Sequence, residues 1–164
     1  MGQKEKIKTE IGTLEHNSWS AYFTDGSWSL HQLLEYVLEQ TGPAEIHLSA
    51  FSLSENAVRS FVNLKESGKI TKLHCLLNNQ MARFKTDLMF FLMNVSDTVK
   101  LAPCHAKVIV IENEKWKVMI IGSANFNRNI RYESGVICTI GARVQEIKTR
   151  LLFAMKHAAA FIYD

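Results

Sequence analysis

The stretch CHAKVIVIENEKWKVMIIGSANFN, residues 104–127, decides the fold. Residues 104–111 and 116–121 are both rich in β-branched side chains and are joined by the polar turn Glu112-Asn113-Glu114-Lys115, so the pattern predicts an antiparallel hairpin. His105 and Lys107 stand two apart, which on a strand puts both side chains on one face. Antiparallel pairing then returns Gly122, Ser123 and Asn125 beside them. One end of the hairpin therefore collects an imidazole, an ammonium, a hydroxyl and a carboxamide, next to a glycine that permits close backbone approach. These donors suit phosphoryl oxygens: they stabilise charge on a phosphodiester under attack, and neutral imidazole is a competent nucleophile near pH 7. No carboxylate pair accompanies them to hold a metal, so no cofactor and no metal is expected at this end.

A single strand histidine, or a Ser-Ala-Asn turn, is an ordinary structural feature; the coincidence of all of them is what carries the reading. His105-x-Lys107 followed by Gly122-Ser123-x-Asn125 resembles the signature of the phospholipase D superfamily, H-x-K-x4-D followed by G-S-x-N. The resemblance extends to Glu133, where family members carry an acidic residue that hydrogen-bonds the nucleophilic histidine. It also takes in the length and element order of the small single-motif members. One position departs: Glu112 stands where the family pattern has Asp. An altered turn is expected there, with Asn113 supplying the turn chemistry, and not a dead site.

The resemblance implies a phospholipase D-like half-fold and a metal-independent phosphodiesterase that works through a phosphohistidine. It implies His105 as nucleophile, Lys107, Ser123 and Asn125 as phosphate-binding groups, and Glu133 as the group that orients His105. One imidazole cannot be nucleophile and leaving-group acid at once, because the roles need opposite protonation states. His16, His31, His47, His74 and His157 belong to no second H-x-K. The second histidine is therefore expected from another copy of the chain, in a C2 homodimer with one shared site, as in single-motif relatives. Small single-motif members most resemble sequence-nonspecific endonucleases, which makes nucleic acid the expected substrate. The alternatives are a phospholipid phosphodiesterase and a catalytically silent nucleic-acid-binding module of the same fold.

Composition agrees with one soluble domain over residues 1–164. Hydrophobic residues make up 47% and charged residues 21%, and the longest apolar cluster, Leu88 to Met93, is far short of a membrane span. The charged start Met-Gly-Gln-Lys-Glu-Lys has no apolar core of a secretory signal, and Lys6 breaks a myristoylation pattern, so a cytoplasmic protein is expected. Cys75, Cys104 and Cys138 are odd in number and lie in strand-like runs, which predicts buried thiols. Zinc is not expected: in His74-Cys75 and Cys104-His105 neighbouring side chains point to opposite faces, and no C-x-x-C occurs. The net charge of +3 is mildly basic, and Lys100, Lys107, Lys115, Lys117, Arg128 and Arg131 are expected around the motif against Glu112, Glu114 and Glu133. Trp19, Tyr22, Phe23 and Trp28 offer an apolar entry surface on the lipid reading, or core and dimer contacts otherwise.

Outward from the hairpin the pattern alternates. A first strand, edge-like, is expected within Gly12–Thr24, then a turn at Asp25-Gly26-Ser27 and a helix capped by Ser29 that stops by Gly42. Glu45–Phe51 reads as a buried strand, Ser54 caps a helix ending at Gly68, and Lys72–Leu77 is the next strand. Met81–Asn94 reads as one helix with Phe84, Leu88, Phe91 and Leu92 inward, and Val99–Leu101 as a short strand. Ser134–Ile140 follows the hairpin as a strand, and residues 142–162 as a closing helix. The class is α/β, a mixed β-sheet flanked by helices.

Overall fold

The computed structural model describes residues 1–128 and 130–161. An eight-stranded mixed sheet runs in the order β1-β7-β6-β5-β2-β3-β4-β8. Its strands are β1 (Trp19–Thr24), β2 (Ala44–Ala50), β3 (Ile70–Asn78), β4 (Thr98–Ala102), β5 (Val108–Glu112), β6 (Lys117–Gly122), β7 (Glu133–Cys138) and β8 (Ala159–Ala160). The helices are α1 (Gln3–Ile11), α2 (Leu30–Thr41), α3 (Glu55–Glu66), α4 (Asn79–Phe84), α5 (Thr86–Val95) and α6 (Gly141–His157). Only β2–β3 and β3–β4 pair in parallel, each joined through helices, as parallel neighbours require.

Strand alternation sorts the core into two layers. Ile46, Leu48, Leu73, Cys75, Leu77, Ile109, Ile111, Val118 and Ile120 face α2, α3 and α5. Leu76, Val110, Met119 and Cys138 face the single helix α6 through its Val144, Leu151 and Met155. Glu45, His47 and His74 alternate onto that second face, where α6 is the cover. All three cysteines are free and buried.

The expected hairpin is present: β5 and β6 pair antiparallel from Val108↔Ile121 to Glu112↔Lys117. β1 is an edge strand, as expected, but it starts at Trp19 and not in the Gly12 region. Ser29 and Ser54 both cap helices, Ser54 Oγ accepting from Ala57 N at 3.2 Å.

Four sequence expectations are corrected. The first hairpin strand begins at Val108, not Cys104, because Cys104 N turns back to Ala102 O at 2.7 Å and residues 103–107 form a loop. The helix expected over 81–94 is two, broken at Lys85, whose backbone leaves the helical region and whose Nζ donates to Leu53 O at 2.8 Å. Phe84, expected inward, is consequently exposed. The closing helix ends at His157, and Ala159–Ala160 pair with Lys100 and Leu101, capping the open edge of β4; residue 162 lies outside the described residues. Helix α1 was not expected, since Ile7 is its one fully buried side chain and gives no periodicity. It is tied down by Glu10, which accepts from Trp28 Nε1 at 2.7 Å. Among the described residues no helix is long and apolar enough to cross a membrane.

Candidate active site

Four chain segments meet at one end of the sheet: the exit of β2, the loop entering β5, the exit of β6 and the entry of β7. Antiparallel register places them there, since Ser49 pairs with Val108, Val108 with Ile121, and Gly122 with Gly135. Lys107 O accepts from Gly122 N at 3.3 Å, so the ladder continues one step beyond the strands and sets Lys107 beside the Gly-Ser step.

His105 is exposed on a loop whose root is fixed by buried Cys104, whose carbonyl accepts from Asn78 Nδ2 at 2.9 Å. Its ring lies against Phe51, centroids 5.4 Å apart. Lys107 Nζ stands 3.2 Å from His105 Nδ1 and donates to His105 O at 3.0 Å. The two groups of the H-x-K step thus touch, although the segment is a loop and not the strand from which a shared face was expected.

Ser123 is bound on both sides. Its Oγ donates to the Glu133 carboxylate and accepts from Ser134 N at 3.0 Å, while its N–H donates to Ser134 O at 2.9 Å. Glu133 is therefore engaged by Ser123; a hydrogen bond to His105 is not among those made by the described residues. Asn125 uses its Oδ1 inward, accepting from Phe51 N at 3.0 Å and Ser52 N at 3.3 Å. Its Nδ2 makes no hydrogen bond among the described residues and remains a donor for a ligand. The next residues sew the motif to the β2–α3 loop: buried Phe126 bridges Leu53 and meets Phe61 edge-on at 5.3 Å, and Asn127 Nδ2 donates to Ser52 Oγ at 2.7 Å.

Gly122 has a use other than close approach to a ligand. A Cβ there would sit 2.8 Å from Ser134 O and 2.9 Å from Tyr22 Oη, and one on Gly135 would sit 2.4 Å from Tyr22 Oη. The paired glycines make the bed on which the Tyr22 ring lies. Burial first, and the nearby Glu133 charge second, push the Tyr22 phenol up to about 12.

Other placements differ from expectation. Lys115 and Lys117 lie at the turn end of the hairpin, about 16 Å from Lys107 along five steps of the ladder, so they do not surround the motif. Tyr22 and Trp28 are buried, whereas Trp19 and Phe23 are exposed, with Phe23 stacked on exposed Tyr132 at 5.6 Å beside Glu133. Glu112 closes β5 and pairs with Lys148 of α6 at 3.2 Å. Asn113 makes the turn, its Oδ1 accepting from Lys115 N and Trp116 N, each at 2.9 Å. Sequence reasoning missed Phe51, Ser52 and Asn78, and weighed Tyr22 only among entry-surface, core or dimer aromatics; Gly135, opposite Gly122 in register, was the available signal for its place in the site.

The fold is that of the phospholipase D-like proteins. The chain is similar to Nuc from Salmonella typhimurium, described as a phospholipase D family member, at a TM-score of 0.67 and 16% identity over 89% of this chain and 99% of that one. It is similar to NucT from Helicobacter pylori at 0.65 and 15%, over 88% of this chain and 100% of that one. It also resembles the phosphatidylserine synthase of Haemophilus influenzae Rd KW20 at 0.61 and 13%, over 88% of this chain and 40% of that one. No family model and no curated protein matches the sequence.

Proposed function

We propose that the chain is a metal-independent phosphodiesterase of the nuclease type, acting as a homodimer with one shared site. The convergence of His105, Lys107, Ser123 and Asn125 at one sheet end carries this reading: one nucleophile, two donors in Lys107 and Asn125, and a third in Ser123 once Glu133 leaves it for His105, on an open surface that a second copy can close. Lys107 Nζ, as ammonium, donates to His105 Nδ1. In that arrangement a neutral His105 carries its proton on Nε2 and is neither nucleophile nor acid; the leaving-group acid is the imidazolium, protonated on both nitrogens, which forms once Lys107 turns from Nδ1 to the phosphate. The attacking histidine needs the other tautomer, Nε2 bare and Nδ1–H held by an acceptor, which is the role given to Glu133 once it releases Ser123.

In the first step Nε2 of one His105 bonds to phosphorus as the P–O bond to the leaving group breaks, and the partner's His105 supplies the proton to that oxygen. In the second, the partner's His105 takes a proton from water, the water oxygen bonds to phosphorus, and the P–N bond breaks. Lys107 and Asn125 Nδ2 hold the non-bridging oxygens through both steps. Nucleic acid is favoured over other phosphodiesters by exposed Arg128 and Arg131, which follow the Gly-Ser-x-Asn step in the chain, and by the net charge of +3. A phospholipid is the second reading, favoured by exposed Trp19, Phe23 and Tyr132. Incubating EDTA-treated protein with plasmid, single-stranded DNA, RNA and anionic phospholipid vesicles separates them: cleavage of a nucleic acid is expected, and turnover confined to vesicles overturns the nuclease assignment. Salt-sensitive DNA retention without turnover indicates a binding module.

A further inference from the structure

We propose that Glu45, His47 and His74, on the face covered by α6, form a binding site for one divalent transition metal of the zinc class. Glu45 and His47 are two apart on β2 and share a face, and His47 and His74 are cross-strand partners in the parallel β2–β3 pair. One carboxylate oxygen and one nitrogen from each imidazole lie within 4.8 Å of one another. Two imidazoles and a carboxylate are a donor set that suits zinc, with a fourth position left for water. The ligands come from two strands at sequence separations no motif scan detects. In His74-Cys75 the thiol faces the other layer, and spacing alone could not show this site.

The unmet chemistry points to a ligand. His47 is 6% exposed, its Nδ1 has no hydrogen-bond partner, and its Nε2 is 4.0 Å from Glu45 Oε1, beyond hydrogen bonding. Buried imidazoles are ordinarily hydrogen-bonded. Glu112, the register partner of Glu45, has a second buried atom without a partner, Oε2, although its Oε1 accepts from Lys148. His74 has the arrangement a metal-bound histidine needs: Nε2 is 2.9 Å from Glu45 Oε1, and Nδ1 is 3.0 Å from Thr98 Oγ1. Thr98 can accept Nδ1–H and so fix the tautomer with Nε2 bare.

Binding moves the His74 proton from the Nε2 side to Nδ1. It also turns the His47 ring out of its stack on His74, centroids 4.4 Å and 16° apart, toward the same point. His47 breaks no hydrogen bond in turning. The charges facing the point are Glu45 and Glu112 against Lys148, a net of one negative charge that a cation offsets. The cation reaches the point from solvent past Glu45, whose side chain is 38% exposed. The site sits in the first half of β2, from about 13 Å (His47) to about 20 Å (Glu45) along the strand from the Phe51–Ser52 end that holds Asn125, so it is separate from the proposed phosphodiesterase groups.

The test is titration of the EDTA-stripped, dialysed full chain with Co2+, read in the visible d–d bands, then displacement with Zn2+ and a calorimetric titration with Zn2+ itself. The expected result is one equivalent bound per chain, a Zn2+-dependent rise in Tm, and affinity weakened at least tenfold in both Glu45→Gln and His74→Gln. His105→Asn is expected to bind Zn2+ as wild type does, which separates this site from the phosphodiesterase groups. Glu45→Gln is isosteric and partly exposed, so it keeps the test valid if His74→Gln unfolds. No saturable binding, binding unchanged in Glu45→Gln, or binding lost in His105→Asn overturns the proposal.

Discussion

Replacing Gly135 by alanine tests how the glycine bed builds the site. The new Cβ would lie 2.4 Å from Tyr22 Oη, 2.5 Å from Tyr22 Cζ and 2.7 Å from Ile121 O. All three are closer than carbon tolerates; two are the hydroxyl and ring carbon of a buried tyrosine and the third is backbone, so nothing flexible can yield. Overpacking of this kind costs about 1–3 kcal/mol, which in a chain of this size lowers Tm by roughly 2–4 °C per kcal/mol. Part of the cost belongs to the ring. In a double-mutant cycle with Tyr22→Ala, Gly135→Ala should cost less than in wild type, with a coupling of about 0.5 kcal/mol or more; the Ile121 carbonyl share should persist. Urea denaturation of the four proteins measures this. If Gly135→Ala costs less than about 0.5 kcal/mol, the range of ordinary surface substitutions, the reasoning about the bed is wrong. Strict additivity with Tyr22→Ala would remove the ring from it.

Asn125→Ala leaves Phe51 N and Ser52 N without their acceptor and should cost about 1–3 kcal/mol together with loss of activity. Asn125→Asp keeps the acceptor and removes the Nδ2 donor, so thermal unfolding should stay near wild type while turnover falls. Burial opposes ionisation of Asp97, yet the Lys65 ammonium and the Leu73 N–H hold its carboxyl below the ordinary range. That stability is present above the unfolded carboxylate value and is lost as pH falls through the depressed folded one. Asp97→Asn should therefore be less stable at pH 7, by about 0.5–1 kcal/mol for so exposed a pair, and should converge with wild type in acid, as pH-dependent denaturation will show. Sedimentation should give twice the 18.7 kDa chain mass, and a 1:1 mixture of His105→Asn with wild type, exchanged through denaturant, should retain activity only in wild-type pairs.

The hairpin was legible because β-branched runs flank a four-residue polar turn; of the motif residues Lys107 and Ser123 stand one step from a strand end, and His105 and Asn125 three. The two layers of the core followed from period-two alternation. What escaped was held by contacts between distant segments. Lys85 breaks a helix to reach Leu53 O, which no local propensity announces. Phe51 and Ser52 became the floor under Asn125 only when β2 paired with β5. The two-residue β8 exists because the β4 edge needs partners, and a closing periodic run read as helix throughout conceals it. Glu112 was weighed as a turn residue and as a charge near the motif, but its side chain is spent on Lys148 of α6.

The central claim is that His105 is the nucleophile of a metal-independent phosphodiesterase. Purified wild type and His105→Asn should be compared in EDTA on the same nucleic-acid substrates, with circular dichroism and sedimentation confirming equal folding and assembly. The account predicts wild-type cleavage in EDTA and none by the variant, with Tm unchanged to within the effect expected of an exposed residue. Cleavage by wild type that EDTA abolishes, or cleavage that survives in His105→Asn, would contradict it.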